Sequence, residues 1–235
     1  MERDIEISGK IGLFGGTFNP VHLGHLRSAE EIREEFNLAK VIFVPAHMPP
    51  HKPDDIIPAE HRFEMVRLSV QGDPFFGVSD IELKRKGNSY SFETIDHFNT
   101  MLNRDGSGNR DAGGGKPPAQ SELFFIMGLD AFKEIHTWKK YPDFFSSSNF
   151  IVMSRPGQHE STPEKLMPRD VLEDFSCTNR GRRYDHRSGK SVYFCDITHL
   201  DLSSTDIRKR LQEGKSIKYL VPDPAASYIK EHGLY

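Results

Sequence analysis

The chain has 235 residues, 36% of them hydrophobic and 28% charged, with a formal net charge of −3. That length suits one well-packed globular domain spanning 1–235, and the acidic balance lacks the basic excess that nucleic acid or an anionic membrane surface selects. The two cysteines, Cys177 and Cys195, are too few and too far apart for a disulfide framework, so they are expected as reduced thiols in the cytoplasm. The opening "MERDIEIS" has no apolar core of a secretion signal, and no apolar run approaches a membrane span.

Short apolar runs alternate with helical patterns. Strands are expected at 10–15 ("KIGLFG"), 41–46, 76–83, 123–128, 149–154 and 191–198, each nearly continuous in apolar residues and so suited to a sheet covered on both faces. After the first, "HLGHLRSAEEIREEFNL" places Leu26, Ala29, Ile32 and Phe36 on one helical face. Helical periodicity recurs in "AEHRFEMVRLSV", "SYSFETIDHFNTML", "SSTDIRKRLQEG" and "PAASYIKEHG", the last two forming a helical part over 204–235. Strand alternating with helix predicts an α/β fold with a doubly wound, mainly parallel sheet. Two polar stretches interrupt the rhythm. Residues 103–121, with five glycines and two prolines, predict a flexible surface insertion. Residues 157–190 predict a polar surface segment carrying Arg180, Arg182, Arg183 and Arg187. That basic run reads as solvated, with an oligomer contact or a substrate-approach feature as alternatives.

The turn after the first strand, "GGTFNPVHLGHL", carries the strongest chemical signal. Gly15 and Gly16 let a ligand approach the backbone, and the following helix offers unpaired N–H groups to an anion. In open α/β sheets ligands gather beyond the carboxyl ends of the strands. Neither a G-x-G-x-x-G fingerprint nor a P-loop is present: the "GKS" triplets at 189–191 and 214–216 have Tyr184 and Lys209 where the leading glycine belongs. His22 and His25 remain as donors for phosphate oxygens. A structural cap and a metal site stay open as alternatives at this turn. "LDLSSTDIRKRLQEG" repeats the theme, with a Ser203–Asp206 capping box, the hydroxyls of Ser204 and Thr205, and Arg208 in the first turn. Two anion-type turns on one sheet suit a nucleoside triphosphate held at both ends.

Together these residues resemble the nucleotidyltransferase superfamily marked by an H/T-x-G-H turn and an S-x-T-x-I-R helix start, which has a Rossmann-like fold. More narrowly the chain is similar to the bacterial nicotinate mononucleotide adenylyltransferases, through "PAHMPPHK" (45–52), "ELKRKGNSYSFETI" (82–95), "FFIMGLDAFKEIHTWKKY" (124–141), "FIVMSRPG" (150–157) and "YIKEHGLY" (228–235). The resemblance runs in order from residue 10 to the C-terminus and implies adenylyl transfer from ATP to nicotinate mononucleotide, with Mg²⁺ held mainly by substrate phosphates.

On that resemblance, Gly15, Gly16, Thr17 and Phe18 lie along both substrates, and His22 and His25 contact the ATP phosphates. Ser204, Thr205 and Arg208 hold the β- and γ-phosphates, Gly128 lies near the adenosine, and Asp130 is at the ribose or the pocket wall. Trp138, the single tryptophan, stacks on the pyridine ring, while Ser89, Tyr90 and Ser91 supply donors to the nicotinate carboxylate. His51, Lys52 and Arg155 meet the mononucleotide phosphate. Without the resemblance, Gly128 and Asp130 read as a strand-end turn and helix cap, Trp138 as core, and Lys52 as solvated charge. Asn19 stands where many members have Asp, and its side chain is expected to hydrogen-bond its own backbone. A nicotinamide mononucleotide or pantetheine phosphate acceptor, and a silent nucleotide sensor, are the rival readings.

Overall fold

The computed structural model describes residues 9–48, 56–85, 90–105, 121–154, 166–178, 182–198 and 200–235. Among them, β1 (Lys10–Gly16), β2 (Lys40–Pro45), β3 (Phe76–Val78), β4 (Glu122–Gly128), β5 (Asn149–Ser154), β6 (Phe175–Thr178), β7 (Arg183–His186) and β8 (Ser191–Asp196) form one sheet in the order β3-β2-β1-β4-β5-β8-β7-β6. The run from β3 to β8 is parallel, and β7 is antiparallel to both its neighbours.

Alternation along the strands makes two cores. On one face Ile11, Leu13, Ile42, Val44, Phe125 and Val152 are buried. They pack under α3 (Ser91–Asp105), α4 (Leu129–Lys133) and α5 (Tyr141–Ser147) through Phe98, Phe132 and Phe144. The opposite face, with Phe14, Val41, Phe43 and Ile126, lies under α1 (Leu23–Phe36), α2 (Ala59–Val70), α6 (Ser204–Gln212) and α7 (Asp223–His232). Helices on both faces explain the unbroken apolar character of the parallel strands. This is the expected Rossmann-like, doubly wound arrangement. The chain leaves β1 toward β2 and leaves β4 toward β5, so a crevice opens between the carboxyl ends of β1 and β4.

Departures from the expected elements have local causes. The third strand ends at Val78 rather than 83, because Ser79 Oγ accepts the Ile81 N–H and the chain turns at Ile81–Lys84. The helix expected to end near residue 102 continues to Asp105, and residues 106–120 of the polar insertion lie outside the described residues. The polar stretch 157–190 supplies β6 and β7, with Tyr184 only 1% exposed and edge-on to Phe194. The basic run is not one positive face: Arg182 pairs with Asp196, Arg183 with Asp185 and Arg187 with Asp174. Arg180 lies outside the described residues. Among the described residues no helix is long and apolar enough to cross a membrane.

Candidate active site

Past Gly16 the chain makes a compressed turn. Phe18 takes a left-handed φ of 49° and the Asn19–Pro20 peptide is cis. A Cβ at Gly16 would lie 2.8 Å from the Phe18 ring, and one at Gly15 would lie 3.2 Å from the Phe125 ring, so glycine is what allows the strand end to sit against these rings. The Phe18 ring itself is buried among Phe14, Phe43 and His25, leaving only the backbone of this residue to meet a ligand.

The turn is clasped from both sides. The Ser204 hydroxyl donates to the Pro20 carbonyl at 2.9 Å, and Arg208 Nη1 donates to the Asn19 carbonyl at 2.9 Å. The two anion-type motifs, far apart in sequence, therefore meet. Two of the residues expected to face phosphate each commit one donor to the turn itself. Thr205 is exposed at the start of α6, where Ser203 Oγ accepts the Asp206 N–H at 3.0 Å as the capping box predicts. Two further residues, to which the resemblance assigned no role, hold the turn. Arg62, 1% exposed, donates from Nη1 to the Thr17 carbonyl at 2.8 Å, and the Tyr235 hydroxyl donates to Asn19 Oδ1 at 2.8 Å.

The histidines open α1. His22 is its extended N-cap residue, and the His22 N–H donates to Nδ1 of His25 at 3.2 Å. A ring that accepts at Nδ1 carries its proton on Nε2, so His25 presents an N–H on its far side. The two imidazoles stack with centroids 3.6 Å apart. His22 is 7% exposed, its Nδ1 is buried without a hydrogen-bond partner, and burial lowers its pKa from 6.5 to about 4. It is therefore a neutral ring near neutral pH. Below pH 6.5 the unfolded chain takes up a proton here that the folded chain refuses. Stability is then expected to fall as pH drops from about 6.5 to about 4, by up to about 1.4 kcal/mol per pH unit, and to level off below. Urea unfolding across that range, compared with His22→Asn, measures the term; the same pH slope in both proteins would refute it.

Two cavities flank the turn. The smaller, about 180 Å³, is lined by His22, His25, Gly128, Asp130, Thr198 and Leu202. The Asp130 carboxylate is 88% exposed there, 4.0 Å from the Lys133 ammonium. A larger cavity of about 540 Å³ is lined by the Gly15–Thr17 backbone, Tyr90, Ser91, Gly128 and Trp138. Trp138 is half-buried, edge-on to Phe125 and Phe144. Lys139 Nζ lies 4.1 Å from the centre of the Tyr90 ring. Gly128 belongs to both walls and is where the cavities meet. The larger cavity also holds a buried carboxylate that sequence reasoning left out. Glu82 accepts the Thr94 hydroxyl at 2.8 Å, and Arg85 donates to that same Thr94 oxygen at 2.9 Å and to the Glu93 carbonyl at 2.8 Å. His51, Lys52, Ser89 and Arg155 lie outside the described residues.

Comparison with known proteins adds an independent line. The cytidylyltransferase-like family matches residues 13–210. A Geobacter metallireducens protein named probable nicotinate-nucleotide adenylyltransferase is 43% identical over 227 residues, covering 96% of this chain and 98% of that one. A Geotalea uraniireducens protein of the same name is 40% identical over 227 residues with the same coverage. Among solved structures, the nicotinic acid mononucleotide adenylyltransferase of Plasmodium falciparum, complexed with NaAD, aligns with a TM-score of 0.66 at 15% identity over 97% of each chain. At that identity the match shows a shared fold.

Proposed function

Because this chain belongs to the cytidylyltransferase-like family, and within it to the nicotinate-nucleotide adenylyltransferases, we propose that it joins nicotinate mononucleotide to ATP, forming deamido-NAD and pyrophosphate. The observation that carries this reading is the pair of cavities that meet at Gly128, one beside the histidine pair and one beside Trp138. Two substrates held in them would bring their phosphates together over the Gly15–Pro20 turn.

The chemistry asks little of side chains as acids or bases. An anionic oxygen of the mononucleotide phosphate attacks the α-phosphorus of ATP, a P–O bond forms, and the bond to pyrophosphate breaks with its electron pair leaving on the departing oxygen. The nucleophile needs no deprotonation, so positioning and charge stabilisation carry the catalysis. In this reading the His25 Nε2–H and the His22 ring face the phosphates as charge develops. Arg208, with Ser204 and Thr205 beside it, neutralises the β- and γ-phosphates. Gly15, Gly16, Thr17 and Phe18 offer backbone, and Gly128 and Asp130 border the adenosine. Trp138 stacks on the pyridine, Ser89, Tyr90 and Ser91 receive its carboxylate, and His51, Lys52 and Arg155 bind the mononucleotide phosphate.

Among the described residues no group of three His, Cys, Asp or Glu side chains is placed to chelate an ion. Mg²⁺ would then be held mainly by substrate phosphate oxygens beside His22 and His25. When bound, the ion neutralises charge on those oxygens. We place the reaction in the cytoplasm, where two cysteines too few for a disulfide framework, Cys177 and Cys195, suit a reducing compartment.

Pyrophosphate release with ATP, Mg²⁺ and either nicotinate or nicotinamide mononucleotide tests the reading. Strong preference for nicotinate is the expected result; equal rates would remove the carboxylate assignment, and no release with either would remove the reaction. A second test uses Gly128, where an added Cβ would meet nothing within 4 Å. Gly128→Leu is expected to raise the KM of at least one substrate about tenfold or more while shifting Tm by less than about 2 °C. Unchanged KM values would place the substrates elsewhere.

A further inference from the structure

The closing "EHGLY" stretch is part of the family resemblance, yet none of the assigned roles uses it. Its path is set by the end of α7. Gly233 caps that helix with a left-handed φ of 58°, and Leu234 N–H reaches back to the Ile229 carbonyl at 3.1 Å. This is the Schellman pattern, in which a left-handed residue turns the chain back across the last helical turn. The reversal packs Leu234 and Tyr235 against the core beneath α1 and α2.

There the Tyr235 hydroxyl donates to Asn19 Oδ1 at 2.8 Å, across 216 positions of sequence. Asn19 is 5% exposed and lies between two donors: the phenol on its side chain and the Arg208 guanidinium on its carbonyl. Burial holds the phenol well above its ordinary pKa, against the opposing pull of Arg208 and Arg62, so it stays a donor over the working pH range.

We propose that Tyr235 is a positioning residue for adenylyl transfer, its hydroxyl fixing the Asn19 side chain and through it the turn over which the phosphates meet. The inference rests on the adenylyltransferase reading above. Asn19 is the one residue of the turn held through both its side chain and its carbonyl, and the second of those bonds comes from Arg208, which we assign to the phosphates. Loss of that bond loosens the Asn19 side chain and with it the peptide whose carbonyl receives the Arg208 guanidinium. A small displacement of this kind acts on the in-line geometry of phosphoryl transfer and leaves the pyridine end of the cleft untouched.

The test is Tyr235→Phe, which keeps the ring and removes one hydroxyl, with Asn19→Ala and the double variant. Tyr235→Phe is expected to lower kcat roughly tenfold, with the KM for nicotinate mononucleotide unchanged and Tm lower by about 2–4 °C at most. Quenching of Trp138, the single tryptophan and a wall of the larger cavity, reads mononucleotide binding independently of turnover and is expected to be unaltered. The double variant is expected to be no slower than Asn19→Ala alone, since both changes break one contact. If the wild-type chain releases no pyrophosphate, the adenylyltransferase reading fails first. If it does and Tyr235→Phe turns over within twofold of it, the positioning role is overturned. A kcat loss accompanied by an equal loss of mononucleotide binding, or one that multiplies with Asn19→Ala, overturns it as well.

Discussion

His25→Ala is expected to lower kcat by about 10²-fold or more, the loss typical of one donor aimed at transition-state charge. The argument rests on how completely the ring is fixed before any substrate arrives. Its Nδ1 takes the His22 N–H at 3.2 Å, one face stacks on the His22 ring at 3.6 Å, and Phe18 meets it edge-on at 5.0 Å. A donor held in this way pays no reorganisation as the phosphate charge grows. The substitution also removes a helix-capping acceptor, at a cost of about 1 kcal/mol in stability. His25→Gln separates the two effects, because an amide oxygen at this position can still accept the N-cap N–H. Glutamine is expected to recover Tm and not kcat in single-turnover pyrophosphate release. Near-normal turnover in the alanine variant would remove His25 from the mechanism.

The parts of this site that were legible in the sequence are those whose signal is local. Gly15, Gly16, His22 and His25 sit in one unbroken stretch, and the Ser203 cap announces the start of α6 four residues before Ile207 enters the core. The parallel strands were legible for the same reason: burial on both faces writes itself as an apolar run. β7 has no such run. Arg183 and Asp185 pair with each other on one side while the inward positions are Tyr184 and a histidine, His186, so the strand reads as a polar loop. β6 depends on β7 for its pairing and shares its obscurity.

Contacts between distant segments left weaker traces or none. The Ser204 and Arg208 bonds to the turn span 184 and 189 positions, and nothing in either stretch says that the partner is a peptide carbonyl as well as an anion. Glu82 falls within the strand expected over 76–83 and Arg85 beyond it, whereas Thr94 on α3 draws the two into one hydrogen-bonded bracket. Arg62 did leave a trace. It falls on the spacing of Ala59, Met65, Val66 and Val70, all buried on the inner face of α2, and an arginine on that stripe needs internal partners.

Those partners make Arg62→Ala the substitution with the largest expected effect on stability, about 3–5 kcal/mol. Nε donates to the Ile57 carbonyl at 3.1 Å, Nη1 to Thr17 at 2.8 Å and Nη2 to His47 at 2.9 Å. One planar guanidinium thus ties together the start of α2, the turn after β1 and the loop after β2, a geometry that the point charge of lysine cannot reproduce. Alanine leaves three partly buried carbonyls without these donors and adds a cavity the length of the side chain. Arg62→Met restores most of the volume and none of the donors, so its loss is expected to stay above about 2 kcal/mol; Arg62→Lys is expected to fall between methionine and wild type. Urea unfolding of the three variants reads these terms directly. Losses below about 1 kcal/mol in both the alanine and methionine proteins would mean that water satisfies the carbonyls and the clasp is dispensable. The expected losses instead make the turn under the histidines a structure held from behind, with the Arg62 guanidinium received by three peptide carbonyls that the neighbouring segments present to it.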